Sequence, residues 1–84
     1  MNQPKTNPSS LSTNESILLI GLSYVTGWVE AELLKPLIRT SSDRRLGKYL
    51  RRLNRKGLVT FYGEKVKLTP LGRKGTDIIN SSGN

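Results

Sequence analysis

The chain contains neither cysteine nor histidine. Disulfides, thiol nucleophiles, zinc fingers and histidine general-base chemistry are excluded together. Carboxylates are scarce, six against fourteen lysines and arginines, and they are scattered along the sequence. They form no nucleophile–base pair and no cluster of metal ligands, and no phosphate-cradling glycine loop is present. No enzyme, catalytic residue, metal or cofactor is therefore expected. Long apolar runs are also missing. The longest, Ile17 to Leu22, falls far short of the roughly 20 residues that span a bilayer. It also lacks the basic flank and small-residue cleavage site of a signal peptide. The expectation is a cytoplasmic protein with no membrane partner and no small-molecule ligand.

What the chain has instead is positive charge, unevenly placed. The formal net charge is +8. Up to residue 38, Lys5 and Lys35 stand against Glu15, Glu30 and Glu32; beyond it, twelve basic residues face only Asp43, Glu64 and Asp77. An anionic partner should be met by the second half. The charge is densest in Thr40 to Lys56, TSSDRRLGKYLRRLNRK. Laid on a helix, Leu46, Tyr49, Leu50 and Leu53 share one face, while Arg44, Arg45, Lys48, Arg51, Arg52 and Arg55 fall within roughly 120° on the other. Asp43 sits at the start, where the helix dipole favours an acid. A solvated helix gains from mixing both signs at i,i+4 spacing. A stripe of one sign expects an anionic surface, and nucleic acid fits that density of charge.

Along the chain, residues 1–11 read as a disordered tail, 12–80 as one small domain and 81–84 as a second tail. Ser12 and Glu15 fit a capping box that opens a first helix running to about Tyr24. Its apolar residues nearly encircle the axis, so it is buried on more than one side. Either neighbouring elements cover it fully or, in so thin a core, the side carrying Leu18, Leu19 and Leu22 meets a second copy and forms a homodimer, the second being the expectation. Trp28-Val29 reads as a strand of one or two pairs, with Trp28 as a core or hinge anchor. Glu30 to Lys35 reads as a short second helix that Pro36 ends or kinks.

Thr40-Ser41-Ser42-Asp43 reads as another capping box, opening the third helix at Ser41. That helix closes at Lys56, with Gly57 left-handed and Leu58 as the apolar contact beyond it. Two alternating runs, Leu58 to Tyr62 and Lys65 to Leu68, flank Gly63-Glu64. A type II′ turn there pairs Tyr62 with Lys65 and Val59 with Leu68. Val59, Phe61, Val66 and Leu68 then share one face, and Thr60, Tyr62, Lys65 and Lys67 the other. Thr69 caps and Pro70 begins a last helix, which Gly72 and Gly75 should each weaken by roughly 1 kcal/mol relative to alanine.

This order resembles the winged helix-turn-helix domain of prokaryotic transcription regulators. The spacing Leu46-x-x-x-Leu50-x-x-Leu53-x-x-x-Gly57-Leu58-Val59 is similar to that family's recognition helix running into its wing. Leu68-Thr69-Pro70-Leu71-Gly72-Arg73 resembles the LT-x-x-GR stretch that follows the wing in MarR-like and PadR-like regulators. The resemblance covers Thr40 to Lys74 and does not fix a subfamily. The turn Ile38-Arg39-Thr40 departs from the pattern by carrying no glycine, and Pro36 shortens the helix before it. The fold it implies is mainly α with a small β-hairpin wing (α+β): a three-helix core, a two-stranded wing and a short C-terminal helix.

The function it implies is a DNA-binding transcription regulator whose partner is double-stranded DNA. The basic helix, residues 41–56, would enter the major groove. Ser41, Ser42, Arg44, Arg45 and Lys48 would reach base edges there. Tyr49, Arg51, Arg52 and Arg55 would meet the backbone, with Arg73 and Lys74 adding phosphate contacts. Tyr49 lies at the border of the apolar face and is equally a core residue. The hairpin, residues 59–68, would lie on the adjacent backbone or minor groove through Tyr62, Gly63, Lys65 and Lys67. The residues also allow an RNA or non-specific nucleic-acid binder, or a module that docks on an acidic protein.

Overall fold

Helix α1 (Thr13–Ser23) opens on the expected capping box: the Ser12 hydroxyl accepts from the Glu15 amide at 3.2 Å and the Glu15 carboxylate accepts from the Ser12 amide at 2.9 Å. The computed structural model describes the backbone of residues 11–82 and the side chains of residues 11–77. After α1 come strand β1 (Val29–Glu30), a 3₁₀ helix (Ala31–Ile38), helix α2 (Asp43–Arg55), strands β2 (Val59–Tyr62) and β3 (Lys65–Leu68), and helix α3 (Pro70–Ser82). The described residues thus form a mainly helical α+β fold with a small antiparallel sheet. The two expected tails lie outside the described residues except at their inner ends. Leu11 packs against the core, and α3 continues to Ser82, past the expected domain limit at 80. Among the described residues no helix is long and apolar enough to cross a membrane.

The core is drawn from Leu18, Leu19 and Leu22 of α1, Leu34 and Ile38 of the 3₁₀ helix, Leu46, Leu50 and Leu53 of α2, and Val59, Val66 and Leu68 of β2 and β3, with the half-buried Val29 of β1 packed against it. This overturns the expected pairing face. Leu18, Leu19 and Leu22 are 0%, 0% and 2% exposed within the single chain, so a second copy cannot reach them. The nearly apolar girdle of α1 is covered by its own 3₁₀ helix, α2, α3 and β3.

Pro36 does not end the second helix. The segment is a 3₁₀ helix that runs through Pro36 to Ile38 and closes at Arg39 in the left-handed region, φ 54°. Proline's fixed φ of about −65° suits 3₁₀ geometry, and the one amide it lacks matters little in so short an element. The expected apolar side divides: Leu34 and Ile38 are buried, Leu33 and Leu37 are exposed. Leu37 still closes over α1, because Gly21 leaves its Cδ1 room; a Cβ there would lie 2.6 Å away.

The hairpin has the expected register, Tyr62 opposite Lys65 and Val59 opposite Leu68. Gly63 turns at φ 61°, while Glu64 keeps a negative φ, as a II′ turn requires. The sheet has three strands rather than two, in the order β1-β3-β2, because Val29 pairs with Val66 and Glu30 with Lys65. The Ala31 amide extends this pairing by donating to the Glu64 carbonyl at 2.9 Å.

Helix α2 ends in a Schellman motif: Gly57, at φ 79°, donates to the Asn54 carbonyl at 2.9 Å and Leu58 to that of Leu53 at 3.0 Å. The Thr69 hydroxyl then joins two elements. It donates to the Gly57 carbonyl at 2.6 Å and accepts from the Gly72 amide at 2.9 Å, capping α3. Here α3 crosses the Leu58 backbone so closely that a Cβ on Gly72 would sit 2.0 Å from the Leu58 carbonyl oxygen. Gly72 is therefore a packing requirement rather than a weakness of the helix. At Gly75 the nearest atom, Leu58 Cδ2, would be 3.9 Å away. The two glycines should respond oppositely in urea denaturation. Gly72→Ala should lose at least about 2 kcal/mol through overpacking against backbone, and Gly75→Ala should gain about 0.5–1 kcal/mol.

Candidate nucleic-acid interface

Helix α2 opens at Asp43, two residues later than the sequence suggests. Ser42 is the cap, its hydroxyl accepting from the Arg45 amide at 3.1 Å. The Ser42 amide donates to the Thr40 hydroxyl at 3.1 Å. Ser41 and Ser42 therefore precede the helix, both exposed and Ser42 extended, rather than forming its first turn. Asp43 is drawn to Lys35 of the 3₁₀ helix, and that carboxylate raises the Lys35 pKa above its ordinary value.

The division of α2 into two faces is clear in the structure. Leu46, Leu50 and Leu53 are 3%, 3% and 0% exposed, whereas Arg44, Arg45, Lys48, Arg51, Arg52 and Arg55 are all exposed. Among the described residues none of these six cations has an ion-pair partner; the two pairs present join Lys35 to Asp43 and Lys56 to Glu15. Tyr49 lies between the faces. Its ring packs against the core, with the Lys48 ammonium at 5.9 Å and the Arg52 guanidinium at 6.0 Å from the ring centre. The Asn14 side chain, then the Arg45 and Lys48 charges, lower the phenol's pKa from its ordinary value against the opposing effect of burial.

Arg51 stands apart from the other five. It lines a groove of about 470 Å³ between α2 and the hairpin tip, whose wall also carries Glu30, Glu32, Asp43 and Glu64. Its surroundings are acidic, so it is the poorest phosphate contact of the stripe. Arg73 is occupied elsewhere. Its guanidinium donates to the carbonyls of Ser23 and Val25 at 3.4 and 3.3 Å, tying α3 to the end of α1 and the loop that follows it. That places it in the fold's own hydrogen bonding rather than among free phosphate contacts, while Lys74 remains exposed.

On the hairpin, Tyr62 and Lys65 are exposed and Lys67 is half-buried, all on the outer face of the sheet, with Gly63 at the tip. Of the two roles expected for Trp28, core or hinge anchor, the structure does not give it the first. Trp28 is 42% exposed, with the Lys67 ammonium 5.0 Å from its ring centre. The available signal was alternation. With Val29 facing inward opposite Val66, Trp28 must face outward, but a strand of two residues gives too short a pattern to read.

One further device holds α2 in place. Glu15, 2% exposed at the start of α1, accepts from the Lys56 ammonium at 3.2 Å, joining α1 to the C-cap of α2. Comparison with protein-family models, curated proteins and solved structures finds no match for this chain. Replacing Glu15 removes the capping box and leaves Lys56 without its carboxylate. Glu15→Ala should lower stability by about 2–3 kcal/mol, read as a shift in the urea midpoint at unchanged slope.

Proposed function

We propose that this chain is a winged helix-turn-helix DNA-binding domain acting as a cytoplasmic transcription regulator, with α2 as the helix that enters the major groove. The observation that carries this reading is the set of exposed, unpaired cations on one face of a helix whose other face is locked into the core. The element order supports it: a helix, a short strand, a second short helix, the basic helix, then a hairpin and a closing helix. Ser41, Ser42, Arg44, Arg45 and Lys48 stand at or before the first turns of α2, the part of a recognition helix that reaches base edges. Arg44 and Arg45 suit bidentate contact with guanine, while Arg52 and Arg55, further along, suit phosphates. The hairpin would rest on the adjacent backbone through Lys65 and Tyr62, since Glu64 at its tip disfavours deep entry into a groove lined by phosphates.

Binding to random duplex DNA, followed by fluorescence anisotropy, should fall steeply with salt, with a log–log slope corresponding to roughly 5–8 neutralised phosphates. Absence of binding even at ~50 mM salt would overturn the proposal, because the phosphate attraction is strong there. On a selected site, Arg44→Ala or Arg45→Ala should cost about 1–3 kcal/mol and relax base preference, whereas Arg55→Ala should weaken selected and random sequences alike. Equal losses on both from the Arg44 and Arg45 variants would remove their base-reading role.

A further inference from the structure

The outer face of the sheet carries a second surface whose chemistry differs from that of α2. The register places side chains in two rows across β1, β3 and β2. Glu30, Lys65 and Tyr62 form one row. Lys67 and Thr60 pair in the other, and Trp28, one residue before β1, takes the place beside Lys67. Across these rows the Trp28 and Tyr62 rings approach to 5.9 Å between centres, inclined at 49°. They are 42% and 73% exposed. The sheet does not need them for its core, since Val59, Val66 and Leu68 face the other way and are buried. Two adjacent large aromatics left in water, with lysines between them, make a surface suited to a partner with flat rings and negative charge.

We propose that Trp28 and Tyr62 form a stacking platform for the unpaired bases of a single nucleic-acid strand, with Lys65 and Lys67 meeting its phosphates. Successive bases of a duplex cover one another's faces, whereas an unpaired strand leaves them free to lie on aromatic side chains. Lys65 and Lys67 are two residues apart on one strand, so their Cα atoms stand about 7 Å apart on the same face, suited to consecutive phosphates. The Lys67 ammonium is already held over Trp28 at 5.0 Å, so a base stacked on that ring brings its own phosphate toward an ordered cation. Glu30, at the end of the other row, closes the platform on that edge with repulsion. This surface lies apart from α2; it shares Tyr62 and Lys65 with the proposed backbone contact of the hairpin, whereas Trp28 belongs to it alone.

Trp28 is the chain's single tryptophan, so its emission reports directly on the platform. Oligo(dT) and oligo(U) should each be titrated into the full-length chain at ~50 mM salt, with binding followed independently by anisotropy. The expected result is quenching of Trp28 emission as the strand saturates, with oligo(dT) and oligo(U) separating a DNA strand from an RNA strand as the preferred source. Tyr62→Ala, at a largely exposed position, and Trp28→Ala, checked for folding by circular dichroism, should each weaken single-strand binding roughly tenfold. Trp28→Ala, at a residue with no part in the proposed duplex contact, should leave duplex affinity within about twofold. The double variant Arg44→Ala/Arg45→Ala should do the reverse, reducing duplex binding while the quenching persists, so failure at α2 and failure at the platform are told apart. Unchanged Trp28 emission at saturation with both strands, or wild-type single-strand affinity in Tyr62→Ala, would overturn the proposal.

Discussion

The surface of this domain is oriented by one apolar seam, Leu46, Leu50 and Leu53 of α2 set against α1, the 3₁₀ helix and the sheet. Burying three leucines is worth about 4–9 kcal/mol. The stripe opposite them opposes folding, since it contains six like-charge neighbours at i,i+3 or i,i+4 spacing, together costing about 1–3 kcal/mol. The seam wins, so the helix forms despite its charge. Because a helix has only one roll that buries all three leucines, the cations have no choice but to point outward. Their exposure follows from packing rather than from any attraction to a ligand. The repulsion left over is a cost that a polyanion would relieve.

A second constraint sets where the sheet stands relative to α2. The chain leaves α2 through Gly57, enters β2 at Val59, returns along β3 and meets the same junction again at Thr69. Four hydrogen bonds gather there: Leu58 to Leu53, Thr69 to Leu58, and the Thr69 hydroxyl to both Gly57 and Gly72. The Asn54 side chain adds a fifth by donating to the Val59 carbonyl at 2.9 Å. Gly72 lets α3 close on this knot without a side chain between. The hairpin is thereby held at a defined angle to α2, and β1 pairs with its second strand, β3, which becomes the centre of the sheet. The cationic helix and the aromatic sheet face are thus two rigid surfaces on one small core, each able to change without disturbing the other.

What could be read from the sequence was whatever depends on neighbours a few residues away. The hairpin register follows from a two-residue turn and strict alternation. The Schellman motif follows from Gly57 and Leu58, and the α3 cap from Thr69-Pro70. What escaped depends on distant partners. Thr40, Ser41 and Ser42 offer three hydroxyls as caps; Ser42 is the one used, and Asp43 beside it pairs with Lys35 of a different element. Leu18, Leu19 and Leu22 form a continuous apolar patch in the sequence, and only the arrival of four other elements hides them. Arg73 looks like one more basic residue until its carbonyl partners, some fifty residues earlier, come into place. Strand β1 reads as a short strand without a partner, and until its pairing with β3 is known Trp28 has no face to be assigned to. The seam and stripe of α2 were legible because a helix's two faces are written in its own residues.

The carboxylates complete the picture by where they are gathered. Glu15 is consumed by α1 and Lys56, and four of the others, Glu30, Glu32, Asp43 and Glu64, line the groove between α2 and the hairpin tip. The charge of the chain is therefore segregated, with an acidic groove along one flank of a cationic helix. A uniformly basic helix attracts a polyanion from any side and leaves the roll of the docked protein undetermined. An acidic flank repels phosphates, and Arg51 at its edge is partly neutralised by the same residues. For any polyanion approaching α2, the favourable directions narrow to the arc holding Arg44, Arg45, Lys48, Arg52 and Arg55, so the few acids act on orientation while the many bases supply attraction.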